Sequence, residues 1–158
     1  MITIRTFEQL KPILKDPQLG GPVELYYVIR PESGVEYGEE PNITIVNPGR
    51  LGNEFTKTFG HYHKHNEPET YRFLYGSGIV LLQQRDIDGS IKSIKAIKAT
   101  AGQTVKVPPG FGHALINTSE DLLITADWES QEAGHEYSQI KTLKGMAYYV
   151  LDKNGKVE

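Results

Sequence analysis

No cysteine occurs among the 158 residues. That excludes a disulfide framework, a thiolate zinc or iron–sulfur site and a cysteine nucleophile, and it agrees with a reducing compartment. An excess of positive charge is missing too. Lys and Arg number 17 against 20 Asp and Glu, a formal charge of −3, which speaks against the basic footprint of a nucleic-acid binder. No stretch reaches the roughly 20 apolar residues that span a bilayer. The opening MITIRTFEQLKPILKDP carries charges every few residues and holds no apolar run of leader length. A cytoplasmic location away from membranes is expected. Apolar content is not lacking: 38% hydrophobic residues, with nine Tyr, five Phe and one Trp, exclude a charge-dominated disordered chain. The length is that of one domain, able to bury roughly 70% of its unfolded surface.

Sixteen glycines and nine prolines are spread along the chain, the texture of short strands and turns. One short helix is expected over about 7–15. Thr6 caps it, Gln9 completes a capping box, and Leu10, Ile13 and Leu14 form one apolar stripe. Asp16-Pro17 and Gly20-Gly21 end it. Beyond that point the period becomes that of strands. Val23–Ile29, Ile43–Val46, Phe55–His63, Thr70–Tyr75, Ile79–Arg85, Thr104–Val107, Ala114–Asn117, Leu122–Asp127 and Tyr148–Leu151 read as strands. Asp88-Gly89 marks a hairpin whose return arm runs through Ile91, Ile94 and Ile97. Pro31–Pro41 reads as a loop, and the tail after Leu151 as frayed. Short strands with almost no helix predict an antiparallel sandwich or barrel, one domain over 1–158 with the barrel over about 22–151.

Three of the five histidines, His61, His63 and His65, fall within five positions, followed by Glu67 and Glu69. On a strand His61 and His63 share a face. Two adjacent imidazoles on a buried face need a use for their nitrogens, and a metal ion is one; an exposed polar loop is the other reading. Further on, Gly102, Pro108, Gly110, His113 and Asn117 are punctuated by five, one, two and three residues, and Gly76 follows Glu69 after six. These two stretches resemble the paired motifs of the cupin superfamily. The resemblance implies an all-β cupin, a double-stranded β-helix or jelly-roll barrel with a short N-terminal helix. It also implies that His61, His63, Glu69 and His113 hold one divalent transition metal. Such a donor set suits Fe, Mn, Ni, Co or Zn. Five residues separate His63 from Glu69 where the motif usually has three or four. Glu67 therefore stays open as the carboxylate, and His65 as a spare ligand.

The flanks carry a narrower likeness. Thr44-Ile-Val-Asn47-Pro48-Gly49, Thr58-Phe-Gly60-His61 and Ala133-Gly134-His135-Glu136-Tyr137 resemble the archaeal-type cupin glucose-6-phosphate isomerases over about residues 40–140. That family resemblance implies a dimeric enzyme interconverting glucose 6-phosphate and fructose 6-phosphate, a step of glycolysis and gluconeogenesis. Position by position it assigns Thr44, Thr58 and Gly60 to the phosphate and Tyr71 to the pocket. His135 and Tyr137 are assigned to acid–base work near the sugar, and Glu69 to the metal, to proton abstraction, or to both in turn. Arg50 and Lys57 are further candidates for the phosphate. The family's tyrosine before Ala-Gly-His is absent, and Trp128 stands near its place as a substrate contact. The MITI start is a candidate for a strand shared across a homodimer. Three other readings stay open: another cupin sugar isomerase or epimerase, an Fe(II) cupin dioxygenase, and a non-catalytic sugar-binding cupin.

Overall fold

The alternating segments become two antiparallel sheets in the computed structural model, which describes residues 1–31, 40–130 and 132–158. Along the chain, β1 (Ile2–Thr6) leads into α1 (Phe7–Leu10) and two single 3₁₀ turns, then β2 (Glu24–Ile29) and β3 (Asn42–Val46). Two short pairs of residues, β4 (Arg50–Leu51) and β5 (Glu54–Phe55), make a tight hairpin before β6 (Tyr62–His63). The long strands follow: β7 (Glu69–Tyr75), β8 (Ser77–Arg85), β9 (Ile91–Thr100), β10 (Thr104–Val107), β11 (Phe111–Asn117) and β12 (Leu123–Glu129). After β13 (His135–Glu136) come α2 (Ser138–Thr142), β14 (Asp152–Lys153) and β15 (Lys156–Val157).

The larger sheet is ordered β1-β2-β3-β12-β7-β10. The other is ordered β11-β8-β9 and is extended by an isolated pairing of His61 with His113 and by β6 against β13. The period of two decides what fills the space between them. On β7, Glu69, Tyr71 and Phe73 are buried while Thr70, Arg72 and Leu74 are not. Phe73, Leu25, Leu82, Leu115 and Leu123 are completely or almost completely enclosed and form the core. The turn before β8 needs Gly76: at φ +76°, a Cβ there would lie 2.2 Å from the Leu122 carbonyl oxygen.

Several expectations change. The helix is shorter than 7–15 because Pro12 has no N–H, and the chain passes into a 3₁₀ turn at Lys11–Ile13. Its start is as read, with the Thr6 N–H donating to Gln9 Oε1 at 2.9 Å. Phe55–His63 is not one strand, since its backbone changes partner repeatedly. Thr56 N–H donates to Gly49, Thr58 to Leu115 and His61 to His113. Tyr148–Leu151 is not a strand either. The Val150 carbonyl accepts the Phe55 N–H at 3.0 Å and Leu151 makes an isolated bridge with Glu54, so pairing with β5 is confined to the last two residues of the segment. The tail does not fray: β14 and β15 pair, and Leu151 exchanges backbone hydrogen bonds with Glu158. The opening MITI forms β1 against β2 of the same chain. The expected Pro31–Pro41 loop lies, over 32–39, outside the described residues.

Candidate metal and substrate site

His61 and His63 do share a face, with ring centroids 5.2 Å apart. The pairing of His61 with His113 brings a third imidazole to 4.4 Å from the first. It demands close backbone approach, and Gly60 supplies it. Its φ is +77°, and a Cβ would sit 3.0 Å from the His113 carbonyl oxygen. Glu69, first residue of β7, reaches in from the other sheet. Its Oε2 lies 2.8 Å from His113 Nε2 and 3.2 Å from His63 Nε2. The longer loop before it is accommodated by Asn66 in the left-handed region at φ +54°. Glu67 contributes only its carbonyl, which accepts the His63 Nδ1–H at 2.6 Å and turns Nε2 inward. His65 is exposed. Glu69, not Glu67 or His65, thus joins the cluster.

His61 Nε2, His63 Nε2, His113 Nε2 and Glu69 Oε2 are all buried without a hydrogen-bond partner. Orphaned buried polar atoms are rare because each costs on the order of 1–3 kcal/mol. Four that converge, three neutral-nitrogen donors and one carboxylate oxygen, have the chemistry of a divalent transition-metal site, and the group meets the spacing for one. A second group, His61, His63, Glu129 and His135, shares two members with it. The electrostatics fit this picture at His61 and Glu69 and run against it at His63. Burial holds the His61 imidazole well below its usual pKa. Burial would lower His63 too, but the carboxylates of Glu129 and Glu69 and the Glu67 carbonyl push it up to about 10. Against its burial, Glu69 is held well below the carboxylate range by His113 and His63.

A cavity opens from this cluster across the inner face of the larger sheet. Thr3 and Arg5 of β1, Tyr26 and Val28 of β2 and, just beyond its end, Arg30 line one side. Asn42 and Thr44 of β3, Asp127 and Glu129 of β12, and Glu69 and Tyr71 of β7 line the other, with Thr58, Gly60, His61, His135 and Tyr137 facing them. His135 is placed by β13, where it pairs with His63. Its Nε2 donates to Glu129 Oε2 at 2.8 Å, which leaves Nδ1 to accept from the Tyr137 hydroxyl at 3.0 Å. Glu129 is fixed from behind by the Asn42 amide at 3.1 Å. Burial would raise its pKa, but His135 and His63 bring it down to about 2.

These surroundings can be set beside known proteins. Residues 5–158 match the sequence model of the glucose-6-phosphate isomerase family. The chain belongs to that family. Glucose-6-phosphate isomerase of Thermococcus litoralis is 38% identical over 115 residues, 72% of this chain and 57% of that protein. That of Pyrococcus furiosus is 35% identical over 116 residues, 73% of this chain and 58% of the relative. The chain therefore matches a little under three fifths of the length of these relatives. Among solved structures, a predicted oxalate decarboxylase from Thermotoga maritima superposes at a TM-score of 0.50 with 17% identity, covering 80% of this chain and 89% of that one. An oxalate oxidase superposes at 0.50 with 14% identity, covering 89% and 55%. The fold is that of the cupins.

Within this member of the glucose-6-phosphate isomerase family, Thr44, Thr58, Gly60, Tyr71, His135 and Tyr137 line the cavity as expected by position. Trp128 does not: strand alternation turns Asp127 and Glu129 inward and Trp128 to the opposite face. The two suggested cationic helpers are engaged elsewhere. Arg50 pairs with Asp152 and Glu120, each at 2.8 Å. Lys57 is buried, paired with Glu54, and donates to the Ile13 carbonyl at 2.9 Å. Thr44 commits its hydroxyl to Asp127. Sequence reasoning missed Arg5, Arg30, Asn42, Asp127 and Glu129. The signal for the last two is the alternation along β12, which puts Asp127 and Glu129 on one face and Trp128 on the other.

Proposed function

We propose that the chain carries the active site of a metal-dependent aldose–ketose isomerase acting on glucose 6-phosphate and fructose 6-phosphate. The observation that carries this reading is the convergence of four orphaned donor atoms at one end of a polar cavity, in a chain of this family. A divalent metal held by His61, His63, Glu69 and His113 supplies Lewis-acid polarisation of sugar oxygens when bound. The chain's own groups do the rest. Glu69 is kept ionised by His113 and His63, which suits a carboxylate that takes a proton from C2. The Tyr137 hydroxyl faces the cavity and can pass its proton to His135 Nδ1, whose tautomer Glu129 fixes. In this arrangement His135 works through Tyr137 during ring opening. Thr58 Oγ1 accepts the Leu115 N–H at 3.0 Å, so its own proton is free to donate to a ligand oxygen. The homodimer is part of the same proposal. β1 is an edge strand with Ile2 and Ile4 exposed, a candidate seam for a second copy.

The test is conversion of fructose 6-phosphate to glucose 6-phosphate by the chelator-stripped chain, followed by a coupled assay. Mn, Fe(II), Ni and Zn are then added back separately without oxygen. Restored turnover supports the isomerase. No turnover at one bound metal per chain overturns the substrate reading and leaves a metal-binding cupin. Deuterium entering C2 from solvent during turnover excludes a pure hydride shift. Sedimentation velocity reads the oligomeric state, and a monomer at assay concentrations removes the dimer.

A further inference from the structure

We infer that His61, His63, Glu129 and His135 form a second, outer position for a divalent transition-metal cation, which receives the ion on its way to the inner set of His61, His63, Glu69 and His113. This goes beyond the isomerase reading, and none of its tests uses turnover. The six residues are three cross-strand pairs. His61 lies opposite His113, His63 opposite His135, and Glu69 opposite Glu129. Two carboxylates directly opposed across β7 and β12 repel unless positive charge stands near both. The pairs divide into two sets of one kind, each three imidazoles and a carboxylate with donor atoms close enough to share an ion. His61 is common to both and stands between the other imidazoles, its ring centroid 4.0 Å from that of His135 and 4.4 Å from that of His113. His63 stands between the carboxylates, its Nε2 3.2 Å from Glu69 Oε2 and 3.6 Å from Glu129 Oε2. Donors each about 2.1 Å from one ion can be roughly 3–4 Å apart, so both spacings suit ligands of a common cation.

His61 Nε2 and His63 Nε2 are buried and unpartnered, so the two sets share the donors that lack any other use. They differ in what completes them. Glu69 and His113 add orphaned atoms, whereas His135 Nε2 and Glu129 Oε2 are bonded to one another at 2.8 Å. Filling the outer set breaks that bond and leaves the His135 proton on Nδ1, where the Tyr137 hydroxyl oxygen accepts it. The outer position is therefore the weaker. It is also the more accessible: the His135 side chain is 24% exposed, against 1% for His113. Glu129 and His135 line the cavity, and His113 is not among the described lining residues. An ion entering by the cavity meets the outer set first and moves inward by exchanging two ligands while His61 and His63 keep hold of it. Because both imidazoles are shared, the two positions fill one at a time.

Co(II) is the probe, read by its visible absorption. Glu69→Gln combined with His113→Ala removes both donors peculiar to the inner set. This variant should still bind one Co(II) per chain, about a hundredfold more weakly than the parent. Adding His135→Ala or Glu129→Gln should weaken binding by roughly tenfold or more again. No binding by the inner-set variant at about a thousand times the parent's Kd, or binding that both additions leave unchanged, overturns the outer position. In the otherwise intact chain, His135→Ala should slow Co(II) uptake by roughly tenfold or more in stopped flow and leave the final spectrum as in the parent. Unchanged uptake overturns the entry role. If His113→Ala prevents folding beside Glu69→Gln, as judged by far-UV circular dichroism, His113→Gln replaces it, and if neither folds the uptake comparison decides alone. A parent that binds no Co(II) overturns both positions at once.

Discussion

His63 carries a conflict that a metal would resolve. In the metal-free chain burial disfavours its imidazolium, yet Glu129, Glu69 and the Glu67 carbonyl raise its pKa to about 10, so it holds a proton at neutral pH. A metal ligand needs the Nε2 lone pair, and binding must therefore expel that proton. His61, lowered by its burial, has none to give. The expected outcome is about one proton released per metal bound at roughly pH 7–9, with affinity rising as pH rises toward the folded pKa of His63. Titration calorimetry of Mn(II) binding in buffers of different ionisation enthalpy counts the proton, and a count of zero would remove His63 from the ligand set. His113 tests the set from the other side. Outer partners of metal ligands typically cost about 10–100-fold in affinity when removed, so His113→Ala should cost at least that. Metal content after dialysis against a weak chelator measures it, and full occupancy in His113→Ala is incompatible with the site.

The segment after α1 is fastened by a buried ion pair rather than by a strand. Glu54 of β5 pairs with Lys57, accepts the Lys15 N–H at 3.1 Å, and Lys57 donates to the Ile13 carbonyl. Truncating one partner leaves a buried charge uncompensated, so Lys57→Ala should cost about 3–5 kcal/mol. Replacing both, as Glu54→Gln with Lys57→Met, should cost much less, and urea denaturation of the two variants reads the difference. A small loss in Lys57→Ala, no larger than that of the double variant, would show that the pair is not a fastening. This pair also marks where the sequence stops being legible. β3, β7 and β10 were readable because one face of each meets the core and the residues alternate accordingly, and β8 because Ile79–Leu82 is a continuous apolar run buried on both faces. The metal-ligand candidates were readable because motif spacing and a shared strand face both pointed to them. Lys57 read as a candidate for the phosphate, because nothing local announces that Glu54, three residues earlier, and the carbonyl of Ile13, far away in the chain, will enclose it. Phe55–His63 looked like one strand, because a change of hydrogen-bond partner leaves no mark on hydrophobic period. Arg5 was hidden for a similar reason: β1 is a short, half-exposed edge strand whose inward face appears only once β2 sets its register.

At the scale of the molecule, the ligand set joins two sheets. His61, His63 and His113 belong to the sheet built on β11, and Glu69 to the sheet built on β12 and β7. Their inward atoms crowd together with no well-formed hydrogen bond among them, and a bound cation would satisfy all four. Metal bound only by the folded chain should stabilise it by about 2.7 kcal/mol at a hundred times its Kd. For a domain of this size that corresponds to a rise in Tm of roughly 5–11 °C. Glu69→Gln cuts the link on the β7 side while preserving shape, and should lose most of that shift even though three histidines remain. His113→Ala should lose it as well. Thermal unfolding of the chelated and Mn-loaded chain, followed by circular dichroism, makes the comparison. If chelated and loaded parent melt together, the four converging groups do not hold the ion, and the orphaned atoms require another explanation. If Glu69→Gln keeps the full shift, the metal is carried by the histidine sheet alone, and the two sheets are not joined through it.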